Sequence, residues 1–229
     1  MVWSWIPQNG TIIWQYTLDN LLLGLLPPLI GLAISVPLGI ACARWRPLYP
    51  PALGVASGIY ALPSLALFVV LIDYTGLGNV TVIIPLTLFS LCILLPAVVD
   101  GLRGVPEPVR QAATAMGFGP LRRLAQVELP LAIPVVNAGL RVAVVSSISL
   151  ASLGQLIGVS SLGYFFIDGF QRDFPTEIYI SLFLIILMAL ICDLLLVIAG
   201  RLLTPWRRDA GGISQAQTRA AEAVGQGAT

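Results

Sequence analysis

The sequence contains no histidine and no lysine, and only 10% of its residues are charged. Without imidazole, proton relays and metal sites built on histidine are excluded. Without lysine there is no glycine-rich P-loop ending in Lys-Ser or Lys-Thr, so the chain does not itself cradle a nucleoside triphosphate. Its three cysteines, Cys42, Cys92 and Cys192, each lie inside an apolar run and far from one another. That spacing fits neither a zinc site nor a redox pair, and the thiols read as small hydrophobes packed in a membrane. No metal and no cofactor bound by this chain is expected. Soluble domains carry about 25% charged residues. Less than half that share, with a net charge of +1, excludes a disordered chain, a nucleic-acid binder and an ordinary cytosolic enzyme.

What the sequence has in place of charge is hydrocarbon. Of its 229 residues 57% are hydrophobic, and the mean hydropathy is +0.92. A helix needs roughly 20 apolar residues to cross a bilayer. Stretches 21–43, 53–72 and 80–99 reach that length with no charge; 129–153 is interrupted only by Arg141, and 178–200 only by Asp193. The expected fold is an all-α polytopic membrane protein with about five transmembrane helices. Residues 153–170 are apolar but broken by Gly154, Gly158, Gly163 and Gly169. They read as the end of the fourth span plus a short re-entrant or surface helix, in preference to a sixth span. Pro27, Pro28, Pro37, Pro63, Pro85, Pro96 and Pro134 fall inside the apolar runs, where each removes a backbone donor and tends to kink its helix. Broken helices of that kind are frequent in transporters.

The few charges are sorted by side. Arg44 and Arg46 follow the first span, Arg103, Arg110, Arg122 and Arg123 lie between the third and fourth, and Arg201, Arg207 and Arg208 follow the fifth. An odd number of spans places all three groups on one face. The other face holds Asp19, Asp73, Asp168, Asp173 and Glu177, with Arg172 as its single arginine. By the positive-inside rule the N-terminus is outside and the C-terminus cytoplasmic. The organisation expected is an extracytoplasmic segment over 1–20, a transmembrane domain over 21–203 with a cytoplasmic loop at 100–128, and a disordered cytoplasmic tail over 204–229. The start lacks the basic region of a cleavable signal peptide and reads as mature sequence. Trp3, Trp5, Trp14 and Tyr16 suit an outer interfacial belt.

The cytoplasmic loop reads DGLRGVPEPVRQAATAMGFGPLRRLAQVE and is followed by LPLAIP. Pro106, Glu107 and Pro108 suit the first turn of a helix. Val109, Ala112, Ala113 and Met116 recur at helical spacing as a small apolar face, and Gly117 can supply a left-handed cap. Gly119-Pro120 breaks the chain before a second short helix carrying Arg122 and Arg123. A shallow alanine face outside the membrane must be buried against something. Either the protein's own span ends cover it, or a groove on a cytoplasmic partner does.

The run Gln111-Ala112-Ala113, then Gly117, then Leu129-Pro130, resembles the EAA loop of ABC importer permeases in residue type and in spacing. Gln111 stands where that family usually has glutamate, so a salt bridge there is lost while hydrogen bonding is kept. Segments 34–44 (ISVPLGIACAR), 62–67 (LPSLAL) and 133–141 (IPVVNAGLR) are similar to the osmoprotectant branch of these permeases, as is 156–164 (LIGVSSLGY), where Ser160 and Ser161 replace two glycines. The resemblance covers about 180 residues. It implies the type I, methionine-permease-like fold in the cytoplasmic (inner) membrane of a prokaryote, as a multi-pass subunit among membrane lipid. The partners implied are two copies of a cytoplasmic ATPase that uses ATP and Mg, a second permease subunit and an extracytoplasmic substrate-binding protein, with no nucleic acid. The cargo implied is an osmoprotectant such as glycine betaine, choline, carnitine or proline betaine. This chain is then a non-catalytic permease. Its ATPase-coupling helix would comprise Glu107, Arg110, Gln111, Ala112, Ala113, Met116 and Gly117, and a bulky charge at Ala113 is expected to uncouple ATPase activity from uptake.

The two intramembrane charges, Arg141 and Asp193, each cost roughly 2.5–3.5 kcal/mol at a helix centre. Their depths differ by about one helical turn, so they either pair or snorkel separately to the inner interface. Tyr60, Phe68, Tyr74, Tyr164 and Phe165 lie where a quaternary ammonium would meet aromatic faces, or else they serve as packing and lipid-facing rings. Three other readings remain at this point. One is a methionine or sulfonate importer permease. Another is a stand-alone channel or secondary transporter, for which the spans offer only Asp193 as a carboxylate and no inverted repeat. The last is a structural scaffold.

Overall fold

The computed structural model describes residues 5–205, apart from the side chain of Ile6, and every regular element among them is helical. In chain order these are α1 (Trp5–Gln8), α2 (Gly10–Arg44), α3 (Tyr49–Tyr60), α4 (Ser64–Thr75), α5 (Asn79–Arg103), α6 (Glu107–Ala115), α7 (Pro120–Arg123), α8 (Leu129–Ala151), α9 (Gly163–Gln171) and α10 (Pro175–Leu203). A 3-10 turn precedes α3, a π-helical turn (Leu124–Glu128) joins α7 to α8, and a 3-10 segment (Ser152–Ile157) extends α8. Trp3 and the greater part of the expected tail, 206–229 with Arg207 and Arg208, lie outside the described residues.

Four helices are long and apolar enough to cross a membrane, and a bent pair supplies a fifth crossing. Helix α2 starts at Gly10, well before residue 21, where the uncharged run begins. Thr17, Asp19 and Asn20 interrupt the hydrophobicity but do not interrupt the backbone ladder. With 35 residues α2 is about 50 Å long, so its first turns stand in the outer interface. There Trp14 is 63% exposed, as an interfacial anchor requires. The run 53–72 is not one helix. α3 and α4 have 12 residues each, about 18 Å, and meet at a 91° bend. The break falls at Leu62-Pro63: proline disfavours a helical conformation at the residue before it and donates no hydrogen bond. The other six prolines flagged inside apolar runs sit within uninterrupted helices.

Contacts fix the direction of each helix. A Cβ at Gly31 would lie 3.0 Å from Ser90 Cβ, and one at Gly39 2.5 Å from Val98 Cγ1. The two numbers climb together, so α2 and α5 run parallel at a spacing only glycine permits. α8 runs against both. Gly101 faces Ala132, Gly139 faces Ala97, and Ser90 Oγ lies 3.3 Å from Ser147 Oγ. Asn20 Nδ2 donates to the Ile148 carbonyl at 3.3 Å. α10 runs against α8 in turn, because Asn137 Nδ2 donates to Leu196 O and Gly200 packs on Asn137.

Two parallel neighbours require the chain between them to return, so the α3–α4 pair must traverse the layer despite its bend. Two antiparallel neighbours, α8 and α10, require residues 152–174 to stay at one end. Five crossings result, and α9 lies on the outer side of the bundle and is not a sixth span. Arg44, Arg103 and Arg201 fall together at one end of the bundle and Asp19, Asp168 and Glu177 at the other, which gives the sidedness expected from charge.

Candidate functional site

At the arginine-rich end the chain between α5 and α8 folds on itself. Pro106 caps α6 in extended conformation, with Glu107 and Pro108 in the first turn. Its far end closes in a Schellman arrangement: Phe118 N–H donates to Ala113 O at 3.1 Å and Gly117 N–H to Thr114 O at 3.0 Å. Gly117 takes φ of 84°, a conformation that side chains with a Cβ rarely adopt.

Glu128 holds this unit together. Its side chain is only 13% exposed and accepts from Arg123 Nε at 2.9 Å, while Arg110 Nε lies 3.9 Å away. Arg110 Nη2 also donates to the Leu102 carbonyl at 2.6 Å, which ties α6 to the last turn of α5. Arg123 Nη1 donates to Thr114 Oγ1 at 3.0 Å, which ties α7 to α6. Arg103 crosses from α5 to the Cys42 carbonyl of α2 at 3.0 Å and stacks over Tyr49. Helix α6 is thus bonded to the end of α5 and, through Glu128, to the start of α8, and α5 is in turn bonded to the end of α2. Glu128→Ala is expected to speed hydrogen exchange in α6 about tenfold, as loss of one charge-assisted bond implies. Exchange mass spectrometry over residues 107–123 reads it, and an unchanged rate would deny Glu128 this part.

The residues singled out in the sequence divide between two faces. Glu107, Gln111, Ala112 and Met116 are exposed, Met116 to 70%, and Gly117 is exposed beside them. Arg110 is half-buried in the ion network. Ala113 is 1% exposed, turned in under α6 against the protein's own chain. The expected apolar face is thus split. Ala113 packs internally, and Val109, Ala112 and Met116 look outward. Glu128, Thr114 and the 77% exposed Leu121 belong to the same unit and were not singled out in the sequence. Only the acidic residue directly before the Leu129-Pro130 signal hinted at Glu128.

Within the membrane Arg141 and Asp193 pair fork to fork, Nε to Oδ1 and Nη2 to Oδ2, both at 2.7 Å. Separate snorkelling is thereby replaced by a bidentate bond between α8 and α10. Arg141 also lines an open cavity of ≈ 610 Å³ with Asn137, Arg201 and Thr204.

The five aromatic candidates do not converge. Phe68 is buried in the core, Tyr60 packs edge-on against Phe89 at 6.0 Å, and Tyr74 is 83% exposed. Tyr164 and Phe165 join Tyr16 and Trp5 at the outer end. Ser161 is buried and donates to the Ser152 carbonyl, whereas Ser160 reaches that outer cluster. Among the described residues no group of histidine, cysteine and carboxylate side chains is placed to hold a metal ion.

The chain is 30% identical to the choline transport system permease protein of Bacillus subtilis over 202 residues, covering 88% of this chain and 93% of that one. It is 32% identical to a glycine betaine/carnitine/choline transport system permease protein of the same organism, covering 91% of each. An osmoprotectant import permease protein of Salmonella typhimurium is 30% identical over 86% of this chain and 94% of its own length. In fold it is similar to the methionine ABC transporter MetNI in an inward-facing conformation, with a TM-score of 0.74 over 85% of this chain and 98% of that one, at 20% identity. Residues 35–209 match the family described as binding-protein-dependent transport system inner membrane component. From its parallel α2 and α5 to the folded segment at its arginine-rich end, the chain belongs to that family of inner-membrane transport permeases.

Proposed function

We propose that this chain is the permease subunit of an ATP-driven importer of osmoprotectants of the quaternary amine type, such as glycine betaine, choline, carnitine or proline betaine. The observation that carries the reading is its similarity, over nearly the whole length, to permeases named for choline, carnitine and glycine betaine. The likeness to a methionine transporter is one of fold, at 20% identity, and does not extend to cargo.

In this reading α6 docks on a cytoplasmic ATPase with Gln111, Ala112 and Met116 at the contact. Two ATPase copies hydrolyse ATP with Mg, two permease subunits enclose the path, and an extracytoplasmic binding protein delivers the solute. The ion network around Glu128 supports that role, because it ties α6 to the end of α5 and to the start of α8 and so does not leave it in a loose loop. Phosphoryl transfer is the work of the ATPase. The permease contributes a path and a lever.

The test is ATP-dependent uptake by vesicles holding the permease, its ATPase and its binding protein. Labelled choline, glycine betaine, carnitine or proline betaine should accumulate, and excess methionine or alkanesulfonate should leave the rate unchanged. Competition by methionine with no accumulation of any quaternary amine would overturn the reading.

A further inference from the structure

The outer end of the bundle carries a polar cluster distinct from the coupling segment and from the Arg141–Asp193 pair. The first turns of α2 and α10, with α9 and α1, surround an open pocket of ≈ 350 Å³. Asp19, Asp168 and Glu177 line it against a single guanidinium, Arg172, which is already bonded to Asp168. The pocket is therefore negative when its carboxylates are ionised. Its apolar wall is aromatic. Tyr16 stacks on Tyr164 at 4.9 Å with planes 3° apart, and Phe165 meets both rings edge-on at 5.5 and 5.4 Å.

Glu177 is the unexplained group. It is 1% exposed, and among the described residues neither carboxylate oxygen accepts a hydrogen bond. Burial and the neighbouring Asp168 push the Glu177 carboxyl up to about 7, so a proton shared with Asp168 engages one oxygen and leaves the other without a donor, and a bound cation would favour the ionised form. Buried carboxylates are ordinarily satisfied by a partner, by water or by an ion, and a charge left alone costs several kcal/mol. A buried carboxyl with only another carboxyl beside it, in a pocket walled by tyrosine and phenylalanine, suits one ligand chemistry. It fits a cation whose charge is spread over an apolar shell, held by a counter-charge and by ring faces.

We propose that this outer pocket receives a small quaternary ammonium solute, with Glu177 as its counter-charge and Tyr16 and Tyr164 as its aromatic contact. The assignment rests on the reading of the chain as a quaternary amine permease and adds to it a place on the permease itself. A solute released at the outer face would be held there before it passes between the spans. Asp19, in the same lining, supplies a further negative charge that draws the cation in.

The experiment uses the detergent-solubilised permease–ATPase complex without the binding protein. Binding of tetramethylammonium and of choline is followed by ligand-observed NMR beside 3,3-dimethylbutan-1-ol, the uncharged carbon analogue of choline. The two cations should bind saturably and the neutral analogue should not. Glu177→Gln should weaken cation binding about tenfold or more, as removal of a desolvated charge partner does. Tyr164→Leu should weaken it severalfold. Asp73→Asn, which removes an exposed outer carboxylate away from the pocket, should leave it within twofold. Equal binding of the neutral analogue, no binding by the unsubstituted complex, or equal losses for Glu177→Gln and Asp73→Asn would each overturn the proposal. Repeating the measurement in nanodiscs separates a solute from a lipid headgroup. Binding that persists in phosphatidylethanolamine supports a solute site, and binding abolished there but kept in phosphatidylglycerol would give the pocket to a lipid ammonium. Uptake of quaternary amines by the complete transporter is scored separately, so a failed pocket and a failed reading of the cargo are told apart.

Discussion

Replacing Arg141 with leucine is expected to cut the yield of folded, membrane-inserted protein at least tenfold. The substitution leaves Asp193 as an unpaired carboxylate inside α10, against hydrocarbon and the face of α8. The lost partner contributes two hydrogen bonds of 2.7 Å in fork geometry. The pair is partly exposed, Arg141 to 38% and Asp193 to 29%, so the loss is smaller than for a fully buried pair, but the stranded carboxylate still lies within an apolar span. Asp193→Leu should do comparable damage by stranding the guanidinium, softened because a long arginine can snorkel. The double substitution Arg141→Leu with Asp193→Leu should recover most of the lost yield, since it removes both charges and keeps apolar volume. Fluorescence-detected size exclusion and melting temperature in detergent measure all three. Single variants as stable as the unsubstituted protein would show that the pair contributes nothing to assembly.

The second large effect concerns α6. Ala112→Arg is expected to abolish productive coupling. Uptake should fall at least tenfold, and ATP hydrolysis by the complex should cease to respond to loaded binding protein. The melting temperature of the permease should stay within a few degrees, because Ala112 is exposed on α6. Ala113→Arg should behave differently. Ala113 is 1% exposed, so a long charged side chain there must displace α6 from its own chain before it reaches any partner. The loss expected at Ala113 is one of local structure, read as faster exchange over residues 107–123. Equal melting temperatures with equal uncoupling at the two positions would mean that α6 presents a different face. Full uptake by the Ala112→Arg variant would remove α6 from the coupling role.

These two predictions draw on different levels of the molecule. The positions of Arg141 and Asp193 were legible in the sequence as charges one turn apart in depth. Whether they met was not, because depth along two helices says nothing of rotation about their axes. The rotation is set by Gly139 on Ala97 and Gly200 on Asn137, contacts between residues distant in sequence. In the same way, helical spacing grouped Ala112 with Ala113, since neighbours on a helix lie only 100° apart on its wheel. The fold of α7 back onto α6 through Arg123, Thr114 and Glu128 is what buries one and exposes the other.

The sequence by itself determined the solvent, the number of crossings and the sidedness of this protein. Those follow from runs of apolar residues and from where arginine is allowed, which are properties of each segment against lipid and water and need no partner. It also determined the helical start and glycine stop of α6, because caps are local chemistry. The tertiary structure decided which of the seven prolines breaks its helix and how early α2 starts. It likewise decided the pairing of Arg141 with Asp193 and the gathering of Glu177, Asp168 and Asp19 beside Tyr16 and Tyr164. Each depends on which helix lies against which and in what direction. That is governed by close contacts between small residues many positions apart, and no periodicity along a single segment contains it.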